Sequence, residues 1–150
     1  MNGVLKKLRA GVATGSAAET QELGAALAKA LPADMVLALH GDLGVGKTTF
    51  VQGLAAGFGI AGPVTSPTFG LFRLYPGKPG RPGSRMLAHL DAYRLASAGE
   101  AEALLLHEYL VSPWCLAVEW PENIPAWLPT GAWHLELGIG ADGLHTLRLR

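Results

Sequence analysis

The spacing of apolar positions changes repeatedly along the chain, and each change marks an element. Leu23, Leu27 and Leu31 recur every fourth residue, with Ala26 and Ala30 beside them, which predicts a helix with one apolar face. Ser16-Ala17-Ala18-Glu19 precedes it with the Ser-x-x-Glu spacing of a capping box, and Pro32 closes it. The run Met35-Val36-Leu37-Ala38-Leu39 then predicts a buried strand. Phe50, Leu54 and Phe58, with Val51 and Ala55, mark the core face of a second helix that Gly57 and Gly59 stop. Strands are expected over 69–75, 86–91 and 114–119, and a short opening strand over 4–12. A second capping box, Ser97 with Glu100, predicts a helix running to about Leu110. Residues 134–137 and 144–149 alternate apolar and polar side chains, an antiparallel pair turning at Gly140-Ala141-Asp142-Gly143. Strands interleaved with helices predict a three-layer α/β domain with a mixed, mainly parallel central sheet and an antiparallel C-terminal strand pair.

Length and composition narrow this picture. The 150 residues fit one domain, and 49% hydrophobic against 16% charged residues fits a packed core. The glycines and prolines cluster in turns, most densely in Pro76-Gly77-Lys78-Pro79-Gly80-Arg81-Pro82-Gly83, which is expected to be a hairpin loop. Twelve basic residues balance twelve acidic ones, so a strong direct nucleic-acid binder is disfavoured and any RNA contact falls mainly to a partner. Cys115 is the sole cysteine; with no internal disulfide, and no apolar run long enough to span a bilayer, a cytoplasmic location is expected.

The chemistry begins at Gly41-Asp42-Leu43-Gly44-Val45-Gly46-Lys47-Thr48, which matches G-x-x-x-x-G-K-[ST] at every fixed position between an apolar strand and an amphipathic helix. Such a loop, a P-loop, turns backbone N–H groups toward phosphate oxygens. Lys47 supplies positive charge to the β and γ phosphates, and the Thr48 hydroxyl is placed for magnesium. ATP and Mg2+ are therefore the expected cofactors. Two strands end in acids. Cys115-Leu116-Ala117-Val118-Glu119 has the form that anchors magnesium beside a phosphate loop, directly or through water. Met86-Leu87-Ala88-His89-Leu90-Asp91 offers Asp91 to orient the attacking water or to join the metal's outer shell, the alternative being a helix cap or a pairing with Arg94. Thr65-Ser66-Pro67-Thr68 is either a γ-phosphate sensor, with Thr68 as its candidate catalytic residue, or a turn around Pro67. His89 and His40 read as packed core histidines.

Taken together, four segments resemble the TsaE (YjeE) family. They are the loop from Gly41 through Thr48, Thr49 and Phe50; Ser66-Pro67-Thr68-Phe69; His89-Leu90-Asp91-Ala92-Tyr93-Arg94-Leu95; and Val118-Glu119-Trp120-Pro121-Glu122. Order and spacing fit over about residues 16–122. The resemblance implies a P-loop ATPase that supports threonylcarbamoyladenosine synthesis in tRNA beside the anticodon. Members act with a TsaB–TsaD transferase assembly and turn over ATP slowly alone. It implies Thr48 and Glu119 at the magnesium, Asp91 near the γ phosphate, and the segment around Ala17 and Thr20 near the adenine. Three positions depart from the pattern: Leu105 stands where many members carry glycine, Leu90 replaces a phenylalanine, and Gly70 follows Phe69 where a polar residue is common.

Two rival functions share the loop. A small-molecule kinase needs several arginines to clamp the moving phosphoryl group. The mid-chain offers only Arg73, Arg81, Arg85 and Arg94, two of them in or beside the Pro/Gly loop. A nucleotide-gated binding module, in which hydrolysis is dispensable, would use every residue of the ATPase reading.

Overall fold

A computed structural model of the chain describes residues 3–42, 44–65, 67 and 71–150. Its centre is a seven-stranded sheet in the order β1-β7-β6-β2-β5-β4-β3. The strands are β1 (Val12–Thr14), β2 (Met35–His40), β3 (Phe72–Tyr75), β4 (Met86–Asp91), β5 (Trp114–Glu119), β6 (Trp133–Ile139) and β7 (His145–Leu149). β6, β2, β5 and β4 run parallel, while β3 and β7 pair antiparallel at either side of that block. The mixed sheet and the antiparallel β6–β7 pair are as expected. The Pro/Gly loop joins β3 to β4 as a hairpin.

Period-two alternation sorts the sheet's side chains onto two faces. Leu37, Leu39, Leu87, Cys115, Ala117 and Leu135 face one way, under α1 (Gly3–Ala10), α2 (Ala17–Ala30) and α3 (Lys47–Gly57). Val36, Ala88, Leu90, Leu116 and Val118 face the other way. That second face is covered by α4 (Ala98–Glu102), two 3-10 turns and the segment around Trp127. The expected α3 stripe is buried throughout: Phe50, Val51, Leu54, Ala55 and Phe58. α2 and α3 cross backbone against backbone, since a Cβ on Gly24 would stand 2.6 Å from the Phe50 carbonyl oxygen. Ser16 caps α2 as the first capping box predicts, its Oγ accepting from the Glu19 N–H at 3.1 Å, while Glu19 Oε1 accepts one residue further back, from the Gly15 N–H at 3.3 Å.

Two expectations are corrected. Residues 3–10 form a helix, and the opening strand is only Val12–Thr14. Val4 and Leu8 are four apart and both buried, whereas Lys6, Lys7 and Arg9 fall outside that stripe, a pattern that alternation cannot satisfy. The helix opened by Ser97 ends at Glu102, not near Leu110. Leu105 takes the left-handed conformation (φ 54°, ψ 36°), which terminates helical hydrogen bonding, and a 3-10 turn follows over Leu106–Glu108. Of the expected strand 69–75, residues 72–75 are strand and 69–70 lie outside the described residues.

Candidate functional site

Three strand ends and one helix start meet at one end of the sheet. Leu39, Asp91 and Glu119 are lateral neighbours in register, so the carboxyl ends of β2, β4 and β5 are level. From β2 the chain turns through residues 41–46 into α3. Gly41 has φ 146°, and a Cβ there would stand 2.5 Å from the Leu137 carbonyl oxygen and 2.8 Å from Val45 Cγ2, so the turn requires glycine. Gly46 occupies the N-cap of α3 at φ 96° and no side chain among the described residues caps the helix. The first N–H groups of α3, and the positive end of its dipole, therefore face the loop. From β7, the His145 Nδ1–H donates to the Val45 carbonyl at 3.0 Å and braces the loop. Thr48 and Thr49 lie half-buried in the first turn of α3, Asp42 is exposed, and Leu43 lies outside the described residues.

Lys47 is 5% exposed. Its Nζ donates to the Gly41 carbonyl at 2.7 Å, lies 3.8 Å from Glu119 Oε1, and sits 4.3 Å from the centroid of the Trp120 ring. Glu119 is equally buried, and its Oε2 accepts from the His89 Nε2–H at 2.6 Å. Burial pushes the Glu119 carboxyl up. The hydrogen bond from His89 and the charges around it, Lys47 among them, outweigh burial and hold it below the ordinary carboxylate range. It is a carboxylate at neutral pH.

Asp91 lies directly across from Glu119, half-buried, and its Oδ1 accepts from the Tyr93 N–H at 3.0 Å. No ion pair among the described residues joins it to Arg94. Thr20 is buried with its Oγ1 2.7 Å from Thr14 Oγ1, and Ala17 is exposed at the start of α2. Thr14 is the register partner of His145, so this start of α2 lies along the edge that His145 ties to the loop. Thr65 meets the Tyr75 hydroxyl, and Val64 accepts from Gln52 of α3 at 3.1 Å, which fixes the approach to Pro67. Ser66 and Thr68 lie outside the described residues.

The structure thus brings Gly41, Lys47 and Glu119 together with Asp91 alongside, and links Ala17 and Thr20 to them through β1 and β7. The packed core histidine expected at His89 is buried, and it also holds Glu119. The signal was the His-x-Asp spacing at a strand end, which puts His89 on the face of Asp91. His145 had no such signal. His40 pairs with His134 at 2.8 Å, and burial first, then nearby positive charge, lowers the pKa of both rings.

Comparison with known proteins extends this geometry. The family model "Threonylcarbamoyl adenosine biosynthesis protein TsaE" matches residues 14–144. A tRNA threonylcarbamoyladenosine biosynthesis protein TsaE from Synechocystis is 43% identical over 110 residues, covering 71% of this chain and 66% of that relative. Another of the same name from Treponema pallidum is 36% identical over 128 residues, covering 85% of this chain and 90% of the relative. The crystal structure of Bacillus subtilis YdiB superposes with a TM-score of 0.72 at 30% identity, over 91% of this chain and 81% of that one. With a family model spanning both the loop and the two acidic strand ends, this chain belongs to the TsaE family.

Proposed function

We propose that this chain, as one P-loop domain, binds and slowly hydrolyses ATP with magnesium, and that it serves as an accessory to threonylcarbamoyladenosine modification of tRNA with a TsaB–TsaD transferase assembly. The observation that carries the reading is the convergence of Lys47 and Glu119, 3.8 Å apart, at the start of α3. A cation for phosphate and an ionised acid for a metal stand at one loop. Thr48 and Glu119 would hold Mg2+, which supplies charge neutralisation for the transferred phosphoryl group. The donor set fits, because Mg2+ favours one or two protein groups completed by phosphate oxygens and water over an all-protein cage. Asp91, tied only lightly to backbone, is the acid available to orient water. Gly41, Asp42, Leu43, Gly44, Val45, Gly46 and Thr49 form or flank the phosphate cradle. Ala17 and Thr20 border the adenine, Thr68 senses the γ phosphate, and tRNA is reached mainly through the partners.

The kinase alternative loses support. Arg85 donates to the Leu31 and Pro32 carbonyls and lies over Phe58, and Arg81 lies against Gly59. Both sit at the end of α3 remote from the loop.

ATP hydrolysis measured alone and with TsaB, TsaD and tRNA tests the reading. Stimulation by the partners is expected, and a rate indifferent to all of them overturns the accessory role. Lys47→Ala is expected to weaken ATP binding about 100-fold, the scale of losing a buried charged hydrogen bond. Full ATP affinity in that variant would overturn the nucleotide site itself.

A further inference from the structure

Glu119 is 6% exposed, and a buried carboxylate needs donors. Its register neighbours supply none: Leu39 on β2 is apolar and Asp91 on β4 is itself an acid. Among the described residues two side chains serve it, Lys47 at 3.8 Å on Oε1 and His89 at 2.6 Å on Oε2. Lys47 is shared, since it also donates to Gly41 and, under the reading above, turns to phosphate. His89 is not shared. It is 0% exposed, and its Nδ1 has no hydrogen-bond partner among the described residues. With no acceptor facing Nδ1, the favoured tautomer carries its proton on Nε2, toward Glu119. An unpartnered nitrogen is costly to bury in a core strand, where an aliphatic residue would pack at no such cost. The bond at Nε2 is what the ring contributes in return.

We propose that His89 is a positioning residue for the metal-binding acid: its Nε2–H fixes one oxygen of Glu119 and thereby presents the other to Mg2+. The inference rests on the magnesium-nucleotide reading. A carboxylate that ligates a metal performs best when its other oxygen is held from behind, because the held group cannot swing off the ion. Alternation explains why the role falls to position 89. His89 is two residues before Asp91, hence on its face, and its register partner Ala117 has too small a side chain to block the diagonal to Glu119.

The test compares His89→Leu, His89→Gln and His89→Asn. Gln carries an N–H close to the position of His Nε2, whereas Asn is polar but too short. Mn2+ serves as the metal probe, titrated into protein saturated with ADP and followed by the EPR signal of free Mn2+. ADP affinity in chelator and the thermal midpoint are measured alongside. His89→Leu and His89→Asn are expected to weaken Mn2+ uptake about 10–100-fold, with metal-free ADP affinity within about twofold of wild type and His89→Gln restoring most of the loss. Wild-type Mn2+ uptake in the Leu variant overturns the inference. So does equal uptake by the Gln and Asn variants, which decides the matter even if the Leu variant fails to fold. Parallel loss of metal-free ADP binding overturns it as well, by marking a general structural role. A wild-type protein that takes up no Mn2+ with ADP overturns the nucleotide reading itself, a separate and recognisable failure.

Discussion

The two faces of the sheet are built in opposite ways from the same strands. On the α1–α2–α3 face, regular helices press on an apolar floor; alternation delivers His89, Asp91 and Glu119 to its rim, and the first turn of α3 brings Lys47 to them. On the opposite face the cover is a five-residue helix, two 3-10 turns and irregular chain, with Leu105 and Trp120 both left-handed at the starts of the turns. The contrast teaches where tolerance lies. A site that holds charges within ångströms needs rigid supports, and α3 with its fully buried stripe is one. The other face has only to exclude water. Changes on the first face are therefore expected to alter chemistry, and changes on the second, Trp120 beside Lys47 excepted, to alter stability alone.

The largest effect is expected from Glu119→Gln. The amide keeps the shape but cannot replace the negative charge offered to the metal. Magnesium-dependent hydrolysis should fall about a thousandfold, the scale of removing one preorganised electrostatic group. Steady-state rates over a magnesium titration check this. A variant that retained near wild-type hydrolysis would break the assignment of the acid anchor to this face.

Asp91→Asn should cost less, about a hundredfold in hydrolysis, with ATP and Mg2+ affinity unchanged, because a positioned acid acts on the water rather than on binding. Isothermal binding measured beside single-turnover rates separates the two. The pair sharpens the comparison within one face, since the acids are neighbours in register but only Glu119 is buried and held by side chains. Weakened nucleotide binding in Asp91→Asn would instead make Asp91 part of the metal's shell. Retained tRNA modification without hydrolysis would favour the gated module.

A smaller effect follows from the ionisation of Glu119. Its folded pKa lies below the ordinary value of 4.5, so the folded state holds the carboxylate where the unfolded chain has begun to take up a proton. That contribution to stability is complete above pH of about 4.5 and is lost as pH falls through the folded pKa. The wild-type thermal midpoint should thus drop more steeply on acidification below pH of about 4.5 than that of Glu119→Gln. Equal slopes would show that the links to His89 and Lys47 do not hold the charge.

Much of this face was legible in the sequence, because its signals are local. The loop spacing, the Phe50–Leu54–Phe58 stripe and the acids closing two apolar runs each lie within a dozen residues. The bond between His89 and Glu119 is different, since 30 residues separate them and only the parallel register of β4 and β5 brings them together. The placing of β6 beside β2 was likewise invisible, since alternation predicts a β6–β7 hairpin but not which edge of the parallel block receives it. On the other face the misreading was local. Three consecutive leucines, Leu104, Leu105 and Leu106, prolong a helical pattern, and nothing in a leucine announces a positive φ.

Leu105 supplies the smallest expected effect and the cleanest test of the second face. The residue is 45% exposed at φ 54°. A side chain with a Cβ is disfavoured in that conformation by about 1–2 kcal/mol, whereas glycine adopts it freely. Comparing Leu105→Gly with wild type alone would mix relief of strain with loss of side-chain contacts. Comparing Leu105→Gly with Leu105→Ala does not, because both remove the leucine and only alanine keeps the strain. Glycine is therefore expected to be the more stable of the two by about 1 kcal/mol, after its greater freedom in the unfolded chain is set against the relief. That corresponds to about 2–4 °C in thermal midpoint for a chain of this size. In an ordinary helix the order reverses, with alanine ahead by about 1 kcal/mol. ATP affinity should be the same in both variants, since position 105 lies on the face away from the loop. Alanine equal to or better than glycine would remove the left-handed turn from the account of why α4 is short, and an altered ATP affinity would break the separation of the two faces.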